Sequence, residues 1–223
     1  MKICIENISK SFARKNKNTF LSVQPTTINI PEHSMISLMG RSGSGKSTFL
    51  NIISGLLKPS SGTVKYDDID IYALSDTERA KFRSEHIGII PQGQTMVQSL
   101  NIIENICLPY LLEKNDKKYT SAMSRASQIM TDLHILDLKY EMPASLSGGE
   151  LRRAAIARSM IKNPDIIFAD EPTCDLDNEN TQLVLQILKN ISESNTTVFI
   201  VTHEQEILNY ANIQYTMDSG IIQ

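Results

Sequence analysis

The sequence predicts an α/β fold in which a mainly parallel sheet is covered by helices on both faces. Three observations point there. Apolar runs of strand length alternate with segments of helical period; the run Met35 to Met39 feeds a glycine-rich loop at 40–47 that opens a helix; and the run Asp165 to Ala169 delivers two carboxylates, Asp170 and Glu171. Alternating strands and helices build a buried parallel sheet, and ligands collect at the carboxyl ends of its strands.

In chain order, Lys2 to Ile8 alternates apolar and polar residues, and Val23 to Ile30 does so after a polar Lys/Asn turn, so the first 38 residues read as short strands. Thr48 to Leu57 carries Phe49, Leu50, Ile53 and Leu57 at helical spacing and stops at the turn residues 58–62. Residues 63–72 suggest a hairpin or edge strand, Asp76 to Ser84 a charged helix, and Ile87 to Ile90 a buried strand stopped by Pro91. Leu100 to Leu112 and Tyr119 to Leu138 read as helices. In the second, Met123, Ala126, Met130 and Leu133 mark one face. A helix from Ser147 to about Ile161, the strand Asp165 to Ala169, a helix near Gln182 to Ile191 and the strand Thr197 to Val201 complete the pattern. Neither an internal repeat nor a linker divides it, so the helical middle is a subdomain.

Composition narrows the function. The 223 residues are enough for a substantial core, and 41% hydrophobic with 21% charged residues is the balance of a folded protein. A net charge of -3 offers no basic field for nucleic acid, which is not expected as a partner. The first ten residues read as strand, not as a secretory signal. No run approaches the roughly 18 apolar residues of a spanning helix, so direct membrane insertion is not expected. Three separated cysteines, Cys4, Cys107 and Cys174, fit reduced thiols.

Gly40-Arg41-Ser42-Gly43-Ser44-Gly45-Lys46-Ser47 matches G-x-x-x-x-G-K-[ST] between an expected strand and helix. Its glycines let successive N–H groups face phosphate oxygens, and the helix that starts near Thr48 adds the positive end of its dipole. Lys46 is then the residue to reach the β and γ phosphates of ATP, and Ser47 to ligate Mg²⁺. Asp170 is expected to hold Mg²⁺ and Glu171 to act as general base. Strand alternation would point the two carboxylates to different tasks.

Leu146-Ser147-Gly148-Gly149-Glu150 resembles the signature sequence of ABC ATPases. A serine hydroxyl, exposed glycine N–H groups and a helix N-terminus form a second anion site, and Ser147 with Glu150 also suits a helix cap. The resemblance implies a P-loop NTPase core with a mainly parallel sheet, an N-terminal antiparallel β subdomain and an inserted α-helical subdomain. Residues 1–92 and 156–223 would form the core and 93–155 the helical part of a single domain.

It further implies that each signature completes the ATP site of a second copy, that a membrane permease is the other partner, and that the protein lies on the cytoplasmic face of the membrane through that permease. Gln92 matches the Q-loop, reaching Mg²⁺ and the water, with about 93–105 meeting the permease. Asp175-Leu176-Asp177 matches the D-loop, His203 the switch histidine, and Phe12 the aromatic stacked on adenine. Residues 57–63, 81–88 and 201–204 are similar to the lipoprotein-releasing, macrolide-efflux and antimicrobial-peptide-transport group. Pro91 and the polar stretch after Gln92, and Arg152-Arg153 in place of a Gln-Gln-Arg run, depart from the family pattern. A regulatory ATPase that gates a cell-wall hydrolase or relays antibiotic sensing would carry the same residues. An ABC ATPase acting on DNA or ribosomes would add a long coiled coil or a second cassette, and neither is present.

Overall fold

A computed structural model describes residues 1–13, 19–93, 95–112 and 116–223. The expected Lys/Asn turn falls at 14–18 and lies outside the described residues, as does Gln94 of the 93–105 segment. The chain builds two sheets. β1 (Ile3–Ala13), β2 (Thr19–Ile30), β4 (Ser61–Tyr66) and β5 (Ile69–Asp70) form an antiparallel sheet in the order β2-β1-β4-β5. β3 (Met35–Met39), β6 (Ile87–Ile90), β7 (Ile166–Asp170), β8 (Thr197–Thr202), β9 (Ile213–Asp218) and β10 (Ile221–Ile222) form the second, in the order β10-β9-β3-β8-β7-β6. It is parallel except for the β9-β10 hairpin.

The central strands are apolar on both faces because both faces are covered. Phe199 and Val201 of β8 join one apolar cluster while Val198 and Ile200 join another, as the period-2 geometry of a strand requires. The first cluster holds α1 (Lys46–Ile53) between the two sheets, where Phe49, Leu50, Ile52 and Ile53 meet Ile3, Ile5 and Tyr66 on one side and Leu38, Phe168 and Phe199 on the other. Tyr66 and Tyr72 donate from their hydroxyls to the carbonyls of Ile53 and Ile52, at 2.5 Å each. The last turn of a helix leaves its carbonyls without intrahelical partners, and the Ile52 carbonyl accepts the Gly55 N–H as well, at 3.0 Å. On the opposite face lie α3 (Ile102–Leu111), α4 (Asp116–Asp132), α5 (Gly148–Met160) and α6 (Asn178–Glu193), while α2 (Asp76–His86) packs beside β6. Among the described residues no helix is long and apolar enough to cross a membrane.

Three expectations change. α1 stops at Ile53, with Gly55 at φ 75, so Leu57 lies beyond the helix. α4 stops at Asp132, and His134 at φ 54 turns the chain before a short 3-10 turn at Leu136–Leu138. The strands β9 and β10 come from a terminal segment in which no strand was expected.

Candidate phosphate-binding and catalytic site

The loop from β3 into α1 curls through two left-handed glycines, Gly43 at φ 79 and Gly45 at φ 111, the latter capping α1. A β-carbon on Gly45 would stand 2.2 Å from the Ser22 carbonyl oxygen, and one on Gly40 would stand 2.3 Å from that of Met217. Both contacts are with backbone, so the loop is wedged between β2 and β9 at positions that only glycine fits.

Lys46 is 5% exposed and donates from Nζ to the carbonyls of Gly40 at 2.7 Å and Arg41 at 3.2 Å. The same nitrogen is 3.7 Å from Oε1 of Glu171, itself 7% exposed. The other carboxylate oxygen of Glu171 lies 3.0 Å from Nδ1 of His203 and accepts from the His203 N–H at 3.3 Å. Glu171 follows the end of β7 at φ 48, and its N–H donates to Val201 at 2.9 Å. A left-handed glutamate costs about 1–3 kcal/mol. The division between the two carboxylates therefore comes from this turn, not from strand alternation.

Asp170, the last residue of β7, accepts the Ser47 hydroxyl at 3.1 Å. Burial raises its pKa; the Ser47 hydrogen bond opposes this, the Glu171 charge adds to it and Lys46 opposes it. A hydroxyl and a carboxylate side by side are hard oxygen donors of the kind Mg²⁺ takes, with its remaining ligands from water and substrate. Among the described residues no group of three or more His, Cys, Asp or Glu forms a metal cage of its own.

Ser42, Gly43, Gly45, Lys46, Ser47, Thr48, Gln92 and Glu171 surround one cavity of about 240 Å³ together with Ser22, whose hydroxyl donates to Thr48 at 3.0 Å. Ser44, buried in the loop, accepts the Gly220 N–H on its carbonyl at 2.9 Å. Gly40, Arg41 and His203 border a neighbouring cavity. The structure thus gathers the glycine loop, both carboxylates, Gln92 and His203. Ser22 was missed because it sits in a strand with no motif of its own. Phe12 borders neither cavity; it packs on Phe20 with 5.9 Å between ring centroids and lies under the Lys10 ammonium.

The Ser147 turn also stands apart from both cavities. Ser147 caps α5 through a full capping box: its hydroxyl accepts from the Glu150 N–H at 3.4 Å, and its own N–H and hydroxyl donate to the Glu150 carboxylate at 2.7 Å. Those two bonds hold the Glu150 carboxyl below the usual carboxylate range. Ser147 and Gly148 are exposed, whereas Gly149 is buried with Asn180 pressed where a side chain would be, so only one of the two expected glycines is open. Asp177 caps α6 by accepting the Asn180 N–H at 2.8 Å. Two arginines of α5, Arg152 buried and Arg158 half-buried, hold the segment after β6: Arg152 donates to the Pro91 carbonyl at 3.3 Å, and Arg158 to the Thr95 carbonyl at 2.9 Å and hydroxyl at 2.6 Å. Helical period alone did not mark them.

The family described as ABC transporter matches residues 23–174. The lipoprotein-releasing system ATP-binding protein LolD of Buchnera aphidicola is 34% identical over 218 residues, covering 97% of this chain and 93% of that protein. The bacitracin export ATP-binding protein BceA of Halalkalibacterium halodurans is 36% identical over 208 residues, 92% of this chain and 81% of the other. Among solved structures, the dimeric post-hydrolysis state of the ATP-binding cassette MJ0796 bound to ADP and Pi superposes with a TM-score of 0.87 at 30% identity, covering 99% and 97% of the two chains.

Proposed function

This chain belongs to the ABC transporter family as an ATP-hydrolysing subunit, and from that premise we propose that it powers export or extraction of a peptide, lipoprotein or antibiotic by closing on ATP with a second copy of itself. The observation that carries the reading is the separation of two anion-binding helix N-termini. One, at Gly45, opens on the glycine-loop cavity, while the other, at Ser147 and Gly148, is exposed and borders neither that cavity nor the one beside His203; Gly148 lines a separate cavity with Arg152 and Asp175. A turn with that chemistry, exposed and set apart from the glycine loop of its own chain, suits the phosphate held by a twin. The similar MJ0796 cassette is a dimer, and the similar LolD and BceA proteins serve lipoprotein release and bacitracin export.

In this reading the loop amides and Lys46 hold the β and γ phosphates, Lys46 trading the Gly40 and Arg41 carbonyls for phosphate oxygens. Ser47 and Asp170, with Gln92, would hold Mg²⁺, which when bound supplies positive charge against the phosphates. A water oxygen attacks the γ phosphorus, the bond to the ADP oxygen breaks, and Glu171 takes the water proton. His203 orients Glu171 and meets the γ-phosphate, and Phe12 stacks on adenine. Across the dimer Ser147, Gly148, Gly149 and Asp177 close the site. Residues 93–155 act as the helical subdomain, and its first segment, about 93–105, meets a membrane permease, which keeps the protein on the cytoplasmic face. Co-purification from membranes tests this: a permease recovered with the chain, and released on deletion of its cytoplasmic loops, is the expected result. Recovery with ribosomes or DNA and no membrane protein would overturn it.

A further inference from the structure

We propose that Asn180 is a positioning residue that locks the Asp177 turn to the Ser147 turn of the same chain, so that the two edges offered to a second copy move as one piece. The inference rests on the dimer reading above. Asn180 stands in the first turn of α6 and uses both ends of its amide. Nδ2 donates to the two carboxylate oxygens of Asp177, at 3.1 and 3.0 Å, and Oδ1 accepts from Nη1 of Arg153 on α5 at 3.1 Å. The same Oδ1 lies 2.2 Å from the point where a β-carbon on Gly149 would be, so the amide rests directly on the Ser147 turn.

The chemistry selects the residue. An amide alone among side chains of this size donates at one end and accepts at the other. Aspartate would keep the acceptor for Arg153 but turn a carboxylate toward Asp177, and leucine would keep the shape and lose both bonds. The bonds involve charged partners at each end, which makes them stronger than neutral ones. The glycine at 149 is then explained locally, since any side chain there would displace the amide.

The test uses the full chain carrying Glu171→Gln, with ATP and Mg²⁺. Sedimentation equilibrium gives the monomer–dimer constant, and a fluorescent ATP analogue at protein concentrations below that constant gives the affinity of the single-chain site. Asn180→Leu is expected to weaken the dimer at least about tenfold, the loss of roughly one to two hydrogen bonds, and Asn180→Asp to weaken it less, with single-chain affinity held within about twofold. If Asn180→Leu does not fold, Asn180→Asp decides the matter by the same two readouts. A parental dimer constant in both variants overturns the inference, as does a fall in single-chain affinity that matches the fall in dimerisation, because Asn180 would then support the fold generally. Failure of the Glu171→Gln parent itself to dimerise overturns the dimer reading, and the inference with it.

Discussion

Oε2 of Glu171 lies 3.0 Å from Nδ1 of His203, a side chain 57% exposed, although Glu171 itself is buried. On its other side stands the buried Lys46 ammonium. A carboxylate removed from water is thus compensated on one flank by a fixed charge and linked on the other to a group that solvent reaches. That arrangement suits a base whose proton must come and go.

Glu171→Gln keeps the shape and an acceptor for His203 while removing the basic oxygen. ATP affinity is expected to stay near the wild-type value while turnover falls by about 10²–10⁴, read from phosphate release beside equilibrium nucleotide binding. Wild-type turnover in this variant would place the base elsewhere.

Lys46→Ala is expected to abolish ATP binding and also to destabilise the nucleotide-free chain, by about 3–5 kcal/mol, because it leaves the Glu171 charge buried without its ammonium. Adding Glu171→Gln should recover much of that stability without restoring ATP binding. Urea denaturation of the four proteins measures the coupling, and strictly additive losses would show that the pair does not interact.

Glu150 closes the capping box at the Ser147 turn, and its folded pKa lies below the unfolded value of about 4.3. A depressed carboxylate contributes stability above the unfolded pKa and loses it as pH falls through the folded one. Glu150→Ala should therefore cost about 0.5–1 kcal/mol at neutral pH, the size of a lost cap, with the difference from wild type shrinking below about pH 4. The side chain is largely solvent-facing, so salt should weaken the effect. A pH-independent difference in thermal unfolding would show that the charge plays no part.

Arg158→Ala should lower stability by about 1–3 kcal/mol, since the Thr95 carbonyl and hydroxyl lose the guanidinium that pairs them. Arg158→Lys is expected not to rescue it, because one ammonium cannot reproduce the two-pronged contact. Equal melting temperatures for Arg158→Lys and the wild-type protein would contradict that assignment.

What the sequence carried was local. Met35–Met39 and Ile87–Ile90 appear as strands at their expected bounds because each is an apolar run closed by a glycine loop or a proline. The glycine loop, Asp170, Glu171, Gln92 and His203 come together because each sits at or just beyond a strand end, where short loops leave little freedom. Long-range packing was not legible. Ser22 reaches the loop through the register of another sheet, Met217 through a β9 strand whose alternation is short, and Asn180 touches Gly149 only because α5 and α6 pack together. The end of α1 depended on Gly55 turning left-handed, which its helical spacing could not reveal.

The account stands on one ATP being held between the glycine loop of one copy and the Ser147 turn of its twin. The most direct measurement is sedimentation of Glu171→Gln and of Glu171→Gln/Ser147→Arg with ATP and Mg²⁺, each with its nucleotide content. The account expects a dimer from the first, and from the second a monomer that still binds one ATP per chain. A double variant that dimerises as tightly as its parent would contradict it.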